Sequence, residues 1–274
     1  MQSVLRAPSL TAHGFLHGFS TRHGGVSAPP FATLNLGSLG SAHVAAGDDP
    51  AHLLENQRRF AEAVGYRPER LFTVSQVHGR SVRVLSPEDQ SEPQRVRVDH
   101  ADALVCAAKP EAEPEHGALA LAIRTADCLP VLLADPETRA VAAVHAGWRG
   151  LVAGILGESV RALCAVTGGG QAVASRLVAV IFPHIEGCCF EVGEEVAVQL
   201  AAAADPNVVL RDSARPKPHV ALERVARQQL MAAGIAAPHL ESVAGCTSCD
   251  AERFFSFRRD GQATGRHWAA IVAG

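Results

Sequence analysis

Two apolar runs face each other across an Asp-Pro turn near the middle of this 274-residue chain, and together they restrict the fold more than any other stretch. The first runs through Leu129-Pro130-Val131-Leu132-Leu133-Ala134, the second through Ala140-Val141-Ala142-Ala143-Val144, with Asp135-Pro136-Glu137-Thr138 between them. Short apolar runs bounded by turn residues predict neighbouring antiparallel strands. Cys128 stands before the first run and His145 ends the second. With a two-residue loop, opposed residues have numbers summing to 273, and Cys128 faces His145 with Cβ atoms roughly 5 Å apart. A four-residue loop, which the Pro fits at least as well, keeps both on one face but shifts their pairing. An odd change in loop length places them on opposite faces.

A thiol and an imidazole on one face can hold a metal or form a nucleophile–base pair, and a third group decides between these. The best candidate is His78, where the strand-like run Phe72–Val77 ends in Gln76-Val77-His78-Gly79 and Gly79 allows a sharp turn of the backbone. His78, Cys128 and His145 form an NNS donor set suited to zinc or copper. Three protein ligands leave a tetrahedral ion one open position, the pattern of a catalytic site. Spacing alone does not select this reading, because a His or Cys beside an apolar run is more often a buried core residue.

The rest of the chain predicts an α/β fold, a single domain over residues 1–274 with a mixed β-sheet core flanked by helices. Helices are expected at His52–Val64, Leu151–Val166, Gly193–Ala203 and Leu222–Ala233. Strands are expected at Phe72–Val77, Val82–Leu85, Ala103–Ala107, Ala118–Ile123, Leu177–Ile181 and Trp268–Val272, beside the pair at the Asp-Pro turn. Polar loops are expected at 86–94, 109–116 and 212–218. With 25 basic and 28 acidic residues the net charge is −3, which gives no general attraction to nucleic acid or to an anionic membrane. No uncharged apolar run approaches the ~20 residues of a membrane span. The opening Met1-Gln2-Ser3-Val4-Leu5-Arg6 does not read as a signal peptide. Seven cysteines without a regular framework fit a reducing cytoplasm.

The motifs Gln76-Val77-His78-Gly79, Thr125-Ala126-Asp127-Cys128-Leu129-Pro130 and His145-Ala146-Gly147-Trp148-Arg149-Gly150 together resemble the YfiH / laccase-domain family. The likeness extends through Ser20-Thr21-Arg22-His23-Gly24-Gly25, Asn35-Leu36-Gly37, Cys189-Phe190-Glu191-Val192-Gly193 and Phe254-Phe255-Ser256-Phe257-Arg258-Arg259. Members are described as purine nucleoside phosphorylases with adenosine deaminase activity, formerly known as multicopper polyphenol oxidases. The resemblance implies a metal, usually zinc, held by His78, Cys128 and His145, which are then both the metal ligands and the candidate catalytic residues. The implied partners are a purine nucleoside (adenosine, inosine or methylthioadenosine) and inorganic phosphate. The sequence is silent on oligomeric state. Phe182, Glu186, Ala221 and Gln57 depart from the family's usual residues and bear on pocket shape.

Four polar residues are candidate substrate contacts: Arg22 and Arg149 as seats for an anion, Asn35 and Gln76 as hydrogen-bonding groups, each with a structural role as the alternative. Gln76 is expected on the His78 side of its strand. Asp127 can orient a metal-bound His only if its strand is irregular. Cys246-Thr247-Ser248-Cys249 is a lone C-x-x-C that does not read as a redox motif or a zinc half-site, and Cys188-Cys189 read as core filling. Two other functions compete. A copper-dependent polyphenol oxidase normally draws on H-x-H patterns, which this chain lacks. A metal-free cysteine hydrolase, such as a deamidase, uses Cys128 as nucleophile with His145 or His78 as base.

Overall fold

Along strand β6 (Leu119–Thr125), odd-numbered Leu119, Leu121 and Ile123 pack into one apolar cluster and even-numbered Ala120 and Ala122 into another. Strand β13 (His267–Ala273) divides in the same way, with Ala269 and Ile271 on one side and Trp268, Ala270 and Val272 on the other. A period of two with both faces apolar means a sheet covered on both sides. The computed structural model, which describes residues 2–37, 47–89, 93–108, 118–214 and 216–274, bears this out. The polar loop expected at 109–116 lies outside the described residues, as do parts of those expected at 86–94 and 212–218.

Strands and helices are numbered along the chain. The first sheet is five-stranded, in the order β1 (Val4–Leu5), β2 (His17–Ser20), β13, β6, β3 (Leu71–Phe72). The second is six-stranded: β12 (Leu240–Ser242), β9 (Val178–Ile181), β7 (Leu129–Ala134), β8 (Val141–Ala146), β5 (Ala103–Cys106), β4 (Val82–Val84). Both are mixed, since β3 with β6, β4 with β5 and β9 with β12 run parallel and the other pairs antiparallel. A short ribbon joins β10 (Val209–Leu210) to β11 (His219–Val220).

The two sheets pack face to face. Phe19, Leu121, Ile123, Ala269 and Ile271 of the first meet Leu104, Leu132, Ala143, Val180 and Phe182 from the second and its margin. The outer face of the first sheet is covered by α2 (Pro50–Val64) through Phe60, Ala61 and Val64. That of the second is covered by α4 (Trp148–Ala153), α5 (Ile155–Val166), α6 (Glu194–Ala202) and α7 (Leu222–Ala232). Each Leu or Phe fully buried in these layers contributes roughly 1.5–3 kcal/mol. The remaining helices, α1 (Pro8–Ala12), α3 (Pro93–Val96) and α8 (Phe257–Asp260), are short. Among the described residues no helix is long and apolar enough to cross a membrane.

The single helix expected over Leu151–Val166 is two helices, because Gly154 adopts φ 84°, a left-handed conformation that ends α4 before α5 begins. The strand expected over Phe72–Val77 keeps only Leu71–Phe72, and residues after it lack a regular ladder. The central hairpin has the four-residue loop. Pro130 pairs with His145 and Leu129 with Ala146, so Cys128 lies diagonal to His145 on the same face rather than directly opposite. The Asp135 carboxylate explains this choice: it accepts from Glu137 N–H (3.2 Å) and Thr138 Oγ1 (2.7 Å), building a turn of its own. Arg139 closes the loop at φ 63°, donating its N–H to Asp135 O at 2.9 Å.

Candidate metal centre

Three chain segments meet at one end of the second sheet. Cys128 stands immediately before β7, His145 lies near the end of β8, and His78 comes from the irregular segment after β3. Their donor atoms all lie within 4.8 Å of one another, and the two imidazole rings meet edge to face at 4.9 Å between centroids. His145 is buried, Cys128 half-buried and His78 exposed, so the group opens outward on the His78 side. Asp102, fully buried one residue before β5, organises it. Its Oδ1 accepts from His145 Nδ1 (2.9 Å) and from the backbone N–H of His78 (2.9 Å). Its Oδ2 accepts from the N–H groups of Gly79 (2.6 Å) and Val77 (3.4 Å).

This one carboxylate does two jobs. It takes up the N–H groups of a turn that no ladder serves, which lets His78 hold φ 61°. It also fixes the imidazole of His145 with Nδ1 occupied, leaving Nε2 as the donor toward Cys128 and His78. Gly147, the residue before α4, leaves room for them. A Cβ there would stand 3.2 Å from both Cys128 Sγ and His78 Cδ2 and 3.8 Å from His145 Cε1.

Charge follows from this packing. Burial pushes the Cys128 thiol up, but the charge of His145 and hydrogen bonds from both imidazoles outweigh it and bring the thiol down to about 6. Burial lowers His145, and the Cys128 thiolate with the Asp102 carboxylate more than reverses this, raising it to about 9. Burial also opposes charge on Asp102, yet hydrogen bonds from His145 and Gly79 hold it below the usual carboxylate range. Two half-buried guanidiniums add positive potential. Arg124 is drawn down to about 10 by burial and by the charges of Arg97 and Arg266, and Arg266 is lowered by burial although Asp127 and Cys128 oppose the fall.

The sequence profile of the multi-copper polyphenol oxidoreductase laccase family matches residues 16–274. The chain belongs to this laccase family. Among its relatives, a purine nucleoside phosphorylase of Deinococcus radiodurans is 38% identical over 268 residues, covering 98% of this chain and 92% of the relative. A purine nucleoside phosphorylase of Pseudomonas aeruginosa is 41% identical over 255 residues, covering 92% and 90%. The solved structure of YlmD from Geobacillus stearothermophilus superposes with a TM-score of 0.84 at 32% identity over 99% of this chain and 96% of that one. The Bacillus licheniformis hypothetical protein YfiH gives 0.85 at 28% identity over 100% and 97%.

In this member of the laccase family the other sequence candidates are largely used in holding loops. Arg22 donates to Ala32 O (2.9 Å) and Ala251 O (2.8 Å) and lies over the Phe255 ring. Asn35 donates to Asp48 Oδ2 (3.0 Å) and accepts from Arg266 N–H (2.9 Å) and Gly37 N–H (3.1 Å). Gln76 is not on a strand; its amide pairs with the N–H and O of Arg124 at 2.8 and 2.7 Å, extending the edge of β6. Only Arg149 is exposed without a hydrogen bond or ion pair among the described residues, its guanidinium 4.4 Å above the Trp148 ring. Asp127 does not brace an imidazole: at φ 95° it accepts from Thr247 Oγ1 and Arg258 N–H, both at 2.6 Å. Phe182, the bulkiest departure, stacks on Phe19 at 6.0 Å between the sheets.

Asp102, Arg124 and Arg266 are functional candidates that sequence reading passes over. Cys188, Cys189, Cys246 and Cys249 are a further surprise. Read as core filling and an unpaired C-x-x-C, they come together in a single cluster.

Proposed function

We propose that this chain is a metal-dependent purine nucleoside phosphorylase, with His78, Cys128 and His145 as metal ligands and catalytic centre and zinc as the ion. The carrying observation is the convergence of two imidazoles and a thiol on one point, with Asp102 orienting His145 and Gly147 leaving the space clear. The names of the relatives support the same reading. The donor set fits zinc, which when bound supplies Lewis acidity at an open fourth position. In phosphorolysis the C1′–N9 bond breaks with its electron pair leaving on the purine, and a phosphate oxygen bonds to C1′. Positive potential from Arg97, Arg124 and Arg266 draws the phosphate dianion toward this end of the sheet, and the exposed Arg149 is a further anchor.

Adenosine, inosine and methylthioadenosine are the proposed nucleosides. Adenosine deamination, in which water adds at C6 and ammonia leaves, is assigned to the same centre. The full H-x-E with P-C-x-x-C signature of nucleobase deaminases is absent, since His184-Ile185-Glu186 reads H-x-E but the C-x-x-C at Cys246–Cys249 follows Gly245 and not Pro, so deamination here uses a different arrangement. We place the activity in the cytoplasm, in one catalytic domain spanning 1–274.

A second reading has one observation in its favour: Cys128, His145 and Asp102 also form a nucleophile, base and orienting carboxylate for a cysteine hydrolase. Copper oxidation is less well served, since among the described residues histidines converge with other donors at one group, holding two imidazoles. Purified protein assayed with adenosine and phosphate, before and after chelation, separates these. Release of purine that requires phosphate and is lost on chelation supports phosphorolysis. Chelation-resistant amide hydrolysis, or oxygen uptake on phenols, overturns it.

A further inference from the structure

Four thiols lie together where the proposed catalytic centre makes no use of them. Cys188 and Cys189 occupy the turn that follows Ile185, and Cys246 and Cys249 the loop that follows β12. All four Sγ atoms are within 4.8 Å of one another. The separations are 3.8 Å for Cys188 to Cys189, 3.3 Å for Cys188 to Cys249 and 3.1 Å for Cys189 to Cys249. Bonds of about 2.3 Å to a tetrahedral zinc space its sulfurs by roughly 3.8 Å. The first pair already meets that spacing, and the contacts to Cys249 open to it by a small rotation of one exposed side chain.

The backbone is arranged for a charged sulfur. Cys246 Sγ accepts from Glu186 N–H at 3.4 Å and from the N–H groups of Ser248 and Cys249. Amides from within a C-x-x-C, turned back on its first sulfur, are donors that a metal-bound thiolate retains. The two loops are also tied together before any ion binds. His184 and Cys246 form a parallel bridge, and Thr247 N–H donates to His184 O at 3.0 Å. Two guanidiniums flank them: Arg258 donates to the carbonyls of Cys189 (3.3 Å) and Glu191 (2.8 Å), and Arg259 to those of Thr247 (2.9 Å) and Ser248 (3.1 Å). Four thiolates around a divalent ion carry a net charge of −2, which these cations offset.

We propose that Cys188, Cys189, Cys246 and Cys249 bind a second, structural metal ion, a divalent cation of the thiophilic, zinc-like class. Four protein sulfurs close the coordination sphere, so this ion holds loops together and takes no substrate. Its position gives it a purpose. Thr247, inside the C-x-x-C, donates to Asp127 Oδ1, and Arg258 N–H donates to Oδ2 of the same carboxylate. Asp127 sits at φ 95° directly before Cys128, so fixing the cysteine loops fixes the approach to that thiol.

The test is zinc content by mass spectrometry of protein expressed with zinc under reducing conditions, in a Cys128→Ala background that disables the catalytic triad. Cys128→Ala should retain about one equivalent, and Cys128→Ala with Cys249→Ser none. Cobalt loaded into Cys128→Ala should show thiolate-to-cobalt charge-transfer absorption that the double variant lacks. Should the double variant not fold, mercurial titration of folded Cys128→Ala decides, with one ion expected to be released as its cluster thiols are consumed. Equal zinc in both variants, thiols that react without releasing an ion, or a mass two hydrogens lower showing a disulfide in the cluster would each overturn the proposal. Because the triad is disabled throughout, failure here leaves the phosphorylase reading standing, and failure of that reading leaves this one.

Discussion

Replacing Asp102 with Asn changes one charge and almost no volume, at a position where the carboxylate accepts four hydrogen bonds. An amide offers one acceptor oxygen. If its NH2 takes the place of Oδ2, it confronts Gly79 N–H, 2.6 Å away in the wild type, and loses a charge-assisted bond worth about 1.5–3 kcal/mol. If its NH2 takes the other place, it confronts His145 Nδ1, and relief comes from moving the imidazole proton to Nε2, the nitrogen needed for the ion. Either way His145 loses its anionic partner, for which metal affinity falls roughly 10–100-fold, or about 1.4–2.7 kcal/mol. The assay is zinc competition against a chromophoric chelator, with urea denaturation of the metal-free protein in parallel. Asp102→Asn should bind zinc at least tenfold more weakly and unfold at lower urea. Affinity within twofold of wild type and an unchanged midpoint would refute the role given to Asp102.

Gly147→Ala should crowd Cys128 and His78 without straining the backbone, since φ −65° and ψ 163° suit alanine. Crowding of about 1–3 kcal/mol should appear as weaker zinc binding with near-wild-type metal-free stability, and unchanged affinity would contradict it. Arg124→Gln should raise KM for phosphate by tenfold or more and leave KM for the nucleoside nearly unchanged; an unaltered phosphate KM removes Arg124 from the phosphate seat. Folding stability should fall on acidification below about pH 6.5. His267 and His17 accept backbone N–H bonds at Nε2 (2.8 Å each) and are held neutral, His267 at about 3 through burial. The unfolded chain takes up these protons below about 6.5 and the native one does not, so the contribution of these two histidines is complete well above that pH and is lost below it. Between about pH 8 and pH 5 the loss should reach about 2 kcal/mol for His267 alone, and urea midpoints that do not move would contradict it.

The convergence of His78, Cys128 and His145 was legible because these residues stand at element ends within the motifs, and face parity in the hairpin survives a loop longer by two residues. The register did not follow from strand patterns alone, because the Asp135 side chain selected the loop. Asp102 was invisible for a related reason. Its partners lie 23 to 43 positions away and include three backbone N–H groups, which carry no residue type to read. Arg22, Asn35 and Gln76 show a structural use that the motifs did not announce. Polar side chains in loops most often satisfy backbone groups, and these three do, beside any contact with substrate. The expected helix Leu151–Val166 runs through Gly154, whose left-handed φ divides α4 from α5. The cysteine cluster draws on segments nearly sixty residues apart, joined by a single bridge that leaves no periodic trace.

Phosphorus NMR of the zinc-loaded protein with adenosine and inorganic phosphate reads the proposed reaction itself. A sugar 1-phosphate ester signal should grow in step with released adenine, and Cys128→Ala should produce neither. Adenine released with no phosphate ester, or equal turnover by Cys128→Ala, would contradict a phosphorolytic centre at His78, Cys128 and His145.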